Sequence, residues 1–394
     1  MLKKIVWAGG EASSFVGSKT ALQKLAGISV SHTLVADLTQ MVGEELLAER
    51  DRQAELHKFR KLPSETQTPP EIACVLVDGG RIFTRAHGTR GVHNPQWKET
   101  KVGCLWKMAG PTFNTDPHPD LPRCFLDRDH VGKMVREMKN ARQPHPDSPP
   151  PDDPPPSEPS PATPRIWPPE RVFRTCVATL RDVYGFGPLV AAEAQRRGFY
   201  DASRQVFLGD GDSKNWIVHK LHFRDFTAIT DFIHPVGYVY EAATAVTNSA
   251  AAQWEQYQSW IKEIWNGRVE AVLEDLRTWQ TRLGTPGPET PDDDPAEIVR
   301  QTITYLENNR QRMNYPAYRT QGLPITSCLV ESLIKQINQR VKGTEKSWNR
   351  PEGAEAILQV RAAILCDDDR LAKHIHNRPG NPLYRRSAAS TPKT

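Results

Sequence analysis

The 394-residue sequence predicts a mixed α/β protein, a sheet flanked by helices with a long helical stretch late in the chain. Three observations carry that expectation. The stretches "IACVLVDGGRIFTRA" and "ETKVGCLWKMAG", within 71–124, alternate in a strand-like way. A second apolar run, "VFLG", ends in Asp210-Gly211. The segment 226–319, with Trp254, Trp260, Trp265 and Trp279, reads as mostly helical. Hydrophobic residues make up 38% and charged residues 25%, an ordinary globular balance. No apolar run is long enough to cross a bilayer, and "MLKKIVWAGG" is too short an apolar stretch for a signal peptide. The six cysteines form no CxxC pair, which argues against a disulfide framework or zinc knuckle and for a reduced, cytoplasmic protein.

Taken in order, 18–61 reads as helix. Ser18 is placed to cap a short helix ending at Ala26-Gly27, and a second helix turns Leu34, Val35, Leu38 and Val42 inward. This rhythm suits a helix-turn-helix with His32, Thr33 and Gln40 as groove-reading residues, and equally an ordinary helical hairpin. In 144–169 half the residues are proline, so the stretch is expected to be an extended spacer. The segment 171–218 reads as helix then strand, and "LGTPGPETPDDDP" (283–295) as an acidic loop. The segment 323–376 reads as helical and basic, and the tail as polar. The resulting division is a helical, DNA-binding segment 1–65; a first core part 70–142; a linker 143–170; a second core part 171–235; an all-α region 236–320; a last core part 321–378; and a tail 379–394.

Charge is distributed unevenly. The net is +4, yet 310–350 holds five Arg and three Lys against Glu331 and Glu345, a local +6. Concentrated positive charge marks either a nucleic-acid surface or a solvated helix face. Within it, Glu331 is the one acid in "GLPITSCLVESLIKQ", with Lys335 four residues on. That pair reads either as an intrahelical ion pair or as an acid with a task of its own. Asp78 follows "IACVLV" and precedes Gly79-Gly80; Asp210 likewise precedes Gly211, so both are expected where an apolar strand ends in a tight turn. Asp212 is better explained as a turn cap, and Asp225 and Asp231 as lying further from such a strand end. Glu307 lacks the glycine-proline break that precedes Glu331. Converging carboxylates repel unless cations bind between them, and hard oxygen ligands select Mg²⁺ or Mn²⁺.

Together, "VLVDGGRI", "FLGDGDSKNW", "DFIH" (231–234) and "YLENNRQRMNYPAYRTQGLPITSCLVESLIKQINQRVKGTEKSW" resemble the DDE transposases of bacterial insertion sequences. The group they resemble has an RNase H-like core interrupted by an all-α insertion, and "DFIH" is similar to its C/D(2)H signature. The resemblance covers about 18–376. It implies that Asp78, Asp210 and Glu331 ligate two Mg²⁺ or Mn²⁺ ions for strand cleavage and strand transfer. It places His234 beside the active site and makes Trp254 a candidate for stacking on an unpaired base. Lys335, Arg340 and Lys342 become the expected phosphate contacts. The implied partner is double-stranded DNA, element ends and target, engaged by a dimer or higher oligomer at the nucleoid, with no membrane. The turn before Glu331 departs from the family in having Thr326 and Cys328 where glycines are common. Two other readings share many of these features: a non-catalytic DNA-binding descendant of a transposase, and an RNase H-like nuclease without strand transfer.

Overall fold

The computed structural model describes residues 1–66, 68–85, 95–142, 167–326, 336 and 351–378. A five-stranded mixed sheet forms its centre, in the order β3-β2-β1-β4-β5. The strands are β1 (Ile72–Arg85), β2 (Pro95–Ala109), β3 (Glu170–Thr179), β4 (Arg204–Gly209) and β5 (Thr227–Thr230). Neighbours β3, β2 and β1 pair antiparallel, whereas β1, β4 and β5 run parallel. Both faces are covered, which is why β1 opens as a continuous apolar run rather than a strict alternation. Ile72, Cys74 and Leu76 enter one core with Val206, Leu208 and Ile229; Ala73, Val75 and Val77 enter the other with Phe207.

Three helices precede the sheet: α1 (Leu2–Glu11), α2 (Phe15–Ala26) and α3 (His32–Lys58). Ser14, not Ser18, caps α2 by accepting from the Gly17 amide; Ser18 is buried inside the helix and donates to the carbonyls of Ala8 and Ser14. Gly27 ends α2 in the left-handed conformation, as expected. Val35 and Val42 are buried and Leu38 packs beside them, but Leu34 is 42% exposed: Val35, the next residue, takes the side of α3 that faces Ile5 and Ala8 of α1. The N-terminal helices share an apolar cluster with the C-terminal helices α12 (Pro351–Ile364) and α13 (Arg370–Asn377), through Val6, Val42, Leu46, Val360 and Leu371. A Cβ on Gly43 would lie 2.2 Å from the Ala356 carbonyl oxygen, so only glycine lets α3 and α12 touch.

Helix α4 (Arg128–Arg142) follows β2, and α5 (Val183–Arg196) and α6 (Ser213–His222) flank β4. The expected helix at the start of 171–218 is corrected: its first part is strand β3, and the helix begins only at Asp182, whose side chain caps α5. "VFRTCVAT" is rich in β-branched residues, and its last five positions are buried between β2 and α12. Beyond β5 come α7 (Ile233–Val246), α8 (Ala250–Trp265), α9 (Val269–Leu283), α10 (Pro295–Asn309) and α11 (Tyr315–Thr320). Within 226–319 the helical reading missed β5, four residues whose pairing with β4 no local pattern announces. The loop between α9 and α10 falls where expected, from Gly284 to the cap Asp294. Trp260 and Trp265 are core residues, and α7–α10 share one continuous apolar core with a face of the sheet.

The far end of the proline-rich stretch belongs to that core too: Trp167 is buried and its indole donates to the Leu323 carbonyl at 3.1 Å. Arg319 is fully buried, paired with Asp116 at 2.8 and 2.5 Å and stacked 4.1 Å over Trp265. It therefore drops out of the basic surface counted in 310–350, and Arg310 is paired with Glu270. Among the described residues no helix is long and apolar enough to cross a membrane.

Candidate active site

Two of the three expected acids follow neighbouring, parallel-paired strand segments. Strands β1 and β4 pair in parallel up to Val77 and Gly209, and the next positions are Asp78 and Asp210. Leu76 and Leu208 enter the same core, and Asp78 follows Leu76 on that face of β1; Asp210, one residue past β4, turns its carboxylate toward the start of α6. Neighbouring strands lie ~4.8 Å apart. The expectation that β1 ends at Asp78 is corrected. The strand runs on through Gly79 and Gly80 to Arg85 because β2 continues opposite, Lys101 against Gly79 and Thr100 against Gly80. Asp78 instead marks where β4 stops pairing, so it is held in a ladder on one side and open on the other.

The Asp78 carboxylate accepts from the Gly79 amide at 2.6 Å. Asp210 is held by its own turn: Oδ1 accepts from the Asp212 amide at 2.8 Å and from the buried Asn215 side chain at 2.7 Å. No ion pair to Asp210 occurs among the described residues. Asp212 caps α6 by accepting from the Lys214 amide, as its spacing suggests. Glu307 pairs with Arg277 at 2.6 Å on the far side of α10 from the buried Tyr305 and Leu306.

Asp231 is a correction: it follows β5 directly, one strand over, in the position Asp210 holds after β4. It is 5% exposed and its amide donates to the Gly209 carbonyl at 2.8 Å, tying the two strand ends together. His234 lies in the first turn of α7 at the same end of the sheet, its amide bonded to the Asp231 carbonyl at 3.0 Å. Its ring Nδ1 is buried without a hydrogen-bond partner among the described residues. The stretch 231–234 thus sits beside Asp210 because β4 and β5 run parallel and end in register, Gly209 opposite Thr230.

Around this end lie residues that sequence reasoning missed. Tyr305, buried in α10 and stacked on Tyr238 at 3.9 Å, donates its hydroxyl to the Asp210 carbonyl at 3.1 Å. Burial, with help from the neighbouring tyrosines and acids, pushes that hydroxyl's pKa well above the usual tyrosine range, so it remains a donor at neutral pH. Asn309, one turn on, donates to the Gly211 carbonyl at 3.4 Å and accepts from the Trp216 indole at 3.1 Å. The Arg312 guanidinium stacks 4.3 Å over Trp216. A clue was available: Tyr305 and Asn309 are polar groups at helical spacing on the apolar side of "TITYLENN".

The remaining expected residues divide. Glu331, Lys335, Arg340 and Lys342 lie outside the described residues, as does Cys328. Trp254 is half-buried, and one of its faces stacks on Tyr257 at 5.0 Å. His32, Thr33 and Gln40 are exposed along α3, with Gln40 bonded to Glu44. Among the described residues no group of three His, Cys, Asp or Glu is placed to hold a metal ion. Two hard carboxylates at neighbouring strand positions, Asp210 fixed by neutral donors, nevertheless suit Mg²⁺ or Mn²⁺ with a third oxygen ligand. A cleft of about 750 Å³ beside the end of α8 is lined by none of Asp78, Asp210 and Asp231. The chain matches no protein-family model and no curated protein sequence.

Proposed function

We propose that the chain is a DDE-type DNA transposase with an RNase H-like core, acting on the ends of its own insertion element. One observation carries the reading: the parallel β1–β4 register ends at Val77 and Gly209, so Asp78 and Asp210 are the next residue on each of two neighbouring strands. Two acids 132 positions apart in the chain (210 − 78) thus follow one strand pairing. The antiparallel β3-β2-β1 ribbon joined to parallel β4 and β5 suits an RNase H-like core, and the helices from α7 to α11 suit the all-α insertion.

In this reading Asp78 and Asp210, with Glu331, would hold two Mg²⁺ or Mn²⁺ ions, which when bound supply in-line activation of the attacking and leaving oxygens. The protein's own part is placement. The Asp212 amide and Asn215 fix the direction of the Asp210 carboxylate, and the β-ladder fixes Asp78. His234 offers a ring nitrogen at the same sheet end for orienting DNA. Lys335, Arg340 and Lys342 would bind phosphates sequence-independently, and Trp254 would be the residue that stacks on a base. Double-stranded DNA is the partner this chemistry requires, and the reading expects a dimer or higher oligomer of the chain on it.

The test is a cleavage and joining assay with purified protein, Mg²⁺ and DNA carrying the element's native flanks, run beside Asp78→Asn, Asp210→Asn and Glu331→Gln. The reading expects nicks and joined products from the wild type and neither from the variants. Nicks without joining would instead identify a nuclease. DNA binding with no cleavage by any version would identify a non-catalytic descendant.

A further inference from the structure

We propose that Tyr305 and Asn309 are positioning residues for Asp210, so that helix α10 sets the geometry of the metal site. The inference deepens the proposed function and rests on its assignment of Asp210 as a metal ligand.

The turn from β4 to α6 is three residues long, Asp210 to Asp212. Its first two carbonyls are both held from α10: Asp210 by the Tyr305 hydroxyl at 3.1 Å and Gly211 by the Asn309 amide at 3.4 Å. The carboxylate is held from the other side, by Asn215 of α6. Tyr305 is itself braced by the stacked Tyr238 ring of α7. Asn309, 1% exposed, also accepts from Trp216 at 3.1 Å, from Arg312 at 3.3 Å and from Thr230 at 3.5 Å. One amide therefore joins α6, the end of β5 and the turn carrying the acid. Gly211 has φ +98°, and a Cβ there would lie 2.6 Å from the Tyr305 ring and 3.0 Å from the Asn309 amide nitrogen, so the turn is seated directly on the two side chains. Moving α10 by a fraction of an ångström moves the Asp210 backbone with it.

A neighbouring bond supplies the control. Tyr315 is buried, and its hydroxyl donates to the Thr230 carbonyl at 2.9 Å without touching Asp210. Tyr305→Phe and Tyr315→Phe each delete one buried hydroxyl of similar bond length. Manganese binding to the purified full-length protein, followed by electron paramagnetic resonance, is the readout, with Asp210→Asn as reference. Positioning predicts that Tyr305→Phe weakens Mn²⁺ binding about tenfold, the usual cost of removing a group that orients a ligand, while Tyr315→Phe binds as wild type. Equal weakening by both, or by neither while Asp210→Asn loses binding, overturns the positioning role and leaves the metal site standing. Unchanged binding in Asp210→Asn overturns the metal site and the inference together. Should Tyr305→Phe not fold, Asn309→Ser, which removes the donor to Gly211, carries the same expectation and the same reversals.

Discussion

Glu193 and Asp210 are carboxylates that the same fold surrounds in opposite ways. Glu193, in α5, is 4% exposed and meets three guanidinium groups: Arg197 at 2.9 Å, Arg370 at 2.6 Å and Arg196 at 3.0 Å. Asp368 and Glu65 complete the network by pairing with Arg370 and Arg196. Burial alone would raise the Glu193 pKa, but Arg370, Arg197 and Arg196 outweigh it and hold the carboxyl far below the usual carboxylate range. Asp210 is half-buried and bonded to an amide N–H and an asparagine, donors that fix its direction and cancel none of its charge. The difference separates an acid that holds the fold together from one that remains available to a cation. Placement with neutral donors is what a metal ligand needs.

The largest expected effect breaks the comparison if it fails. If the proposed function holds, Asp210→Asn should lower nicking of element-end DNA by about three orders of magnitude or more, since several kcal/mol of charge stabilisation would go with the ions. It should leave unfolding free energy within about 1 kcal/mol of wild type. Glu193→Ala should do the reverse to stability, costing ~3–5 kcal/mol because it strands buried arginines. Urea titrations of both variants measure this. A destabilised Asp210→Asn or a stable Glu193→Ala would mean that neutral and cationic surroundings do not sort these acids by role.

Arg319 extends the structural side of the comparison to the helical region. Its guanidinium joins Asp116 on the segment after β2 to the Trp265 ring and carbonyl of α8. Arg319→Met should cost ~3 kcal/mol, at the lower end for a broken buried pair because the Asp116 side chain keeps 17% exposure to water. The same urea titration reads it, and a loss under ~1 kcal/mol would make the pair ornamental.

What the sequence made legible follows the range of the interactions. The continuous run "IACVLV" announces a strand buried on both faces, and the Asp212 cap and the Gly27 end are local events within one turn. Strand β5 is four residues, too short for any period to register, and β3 is apolar at spacings that also fit a helix. Gly79-Gly80 looks like a turn, and only the partner strand keeps it extended. Of the site, Asp78 and Asp210 were visible as acids after apolar runs, but their adjacency depends on register. Tyr305 is 95 residues from Asp210, and nothing local predicts that contact.

Acid sharpens the contrast with a smaller effect. The folded-state pKa of Glu193 is depressed, so its contribution is fully present above the unfolded value near 4.5 and is lost as pH falls toward the folded pKa. Asp368 is depressed in the same direction: burial opposes the shift, and Arg370 and Arg197 drive it. The melting temperature should therefore be flat from about pH 7 to 5 and fall below about 4.5. Glu193→Gln should start lower and fall less steeply. Parallel curves for the two proteins would place the acid-labile charge elsewhere.

The smallest effect asks whether the acid-bearing face is rigid. Cys74 shares the Asp78 face of β1, and Cys104 and Cys176 line the same core. Burial pushes the thiols of Cys74 and Cys176 well above their ordinary range, so they are both inaccessible and protonated. Cys124 is exposed. In a Cys328→Ser background, a thiol reagent at pH 8 should modify Cys124 alone on the timescale of minutes, as mapped by peptide mass spectrometry. Cys74, Cys104, Cys176 and Cys366 should react only at the rate of global unfolding. Were Cys74 to react alongside Cys124, the β1–β4 seam would open in the native state. Asp78 would then not be held beside Asp210 by a rigid ladder, and the adjacency would describe one conformation among several rather than a prepared site.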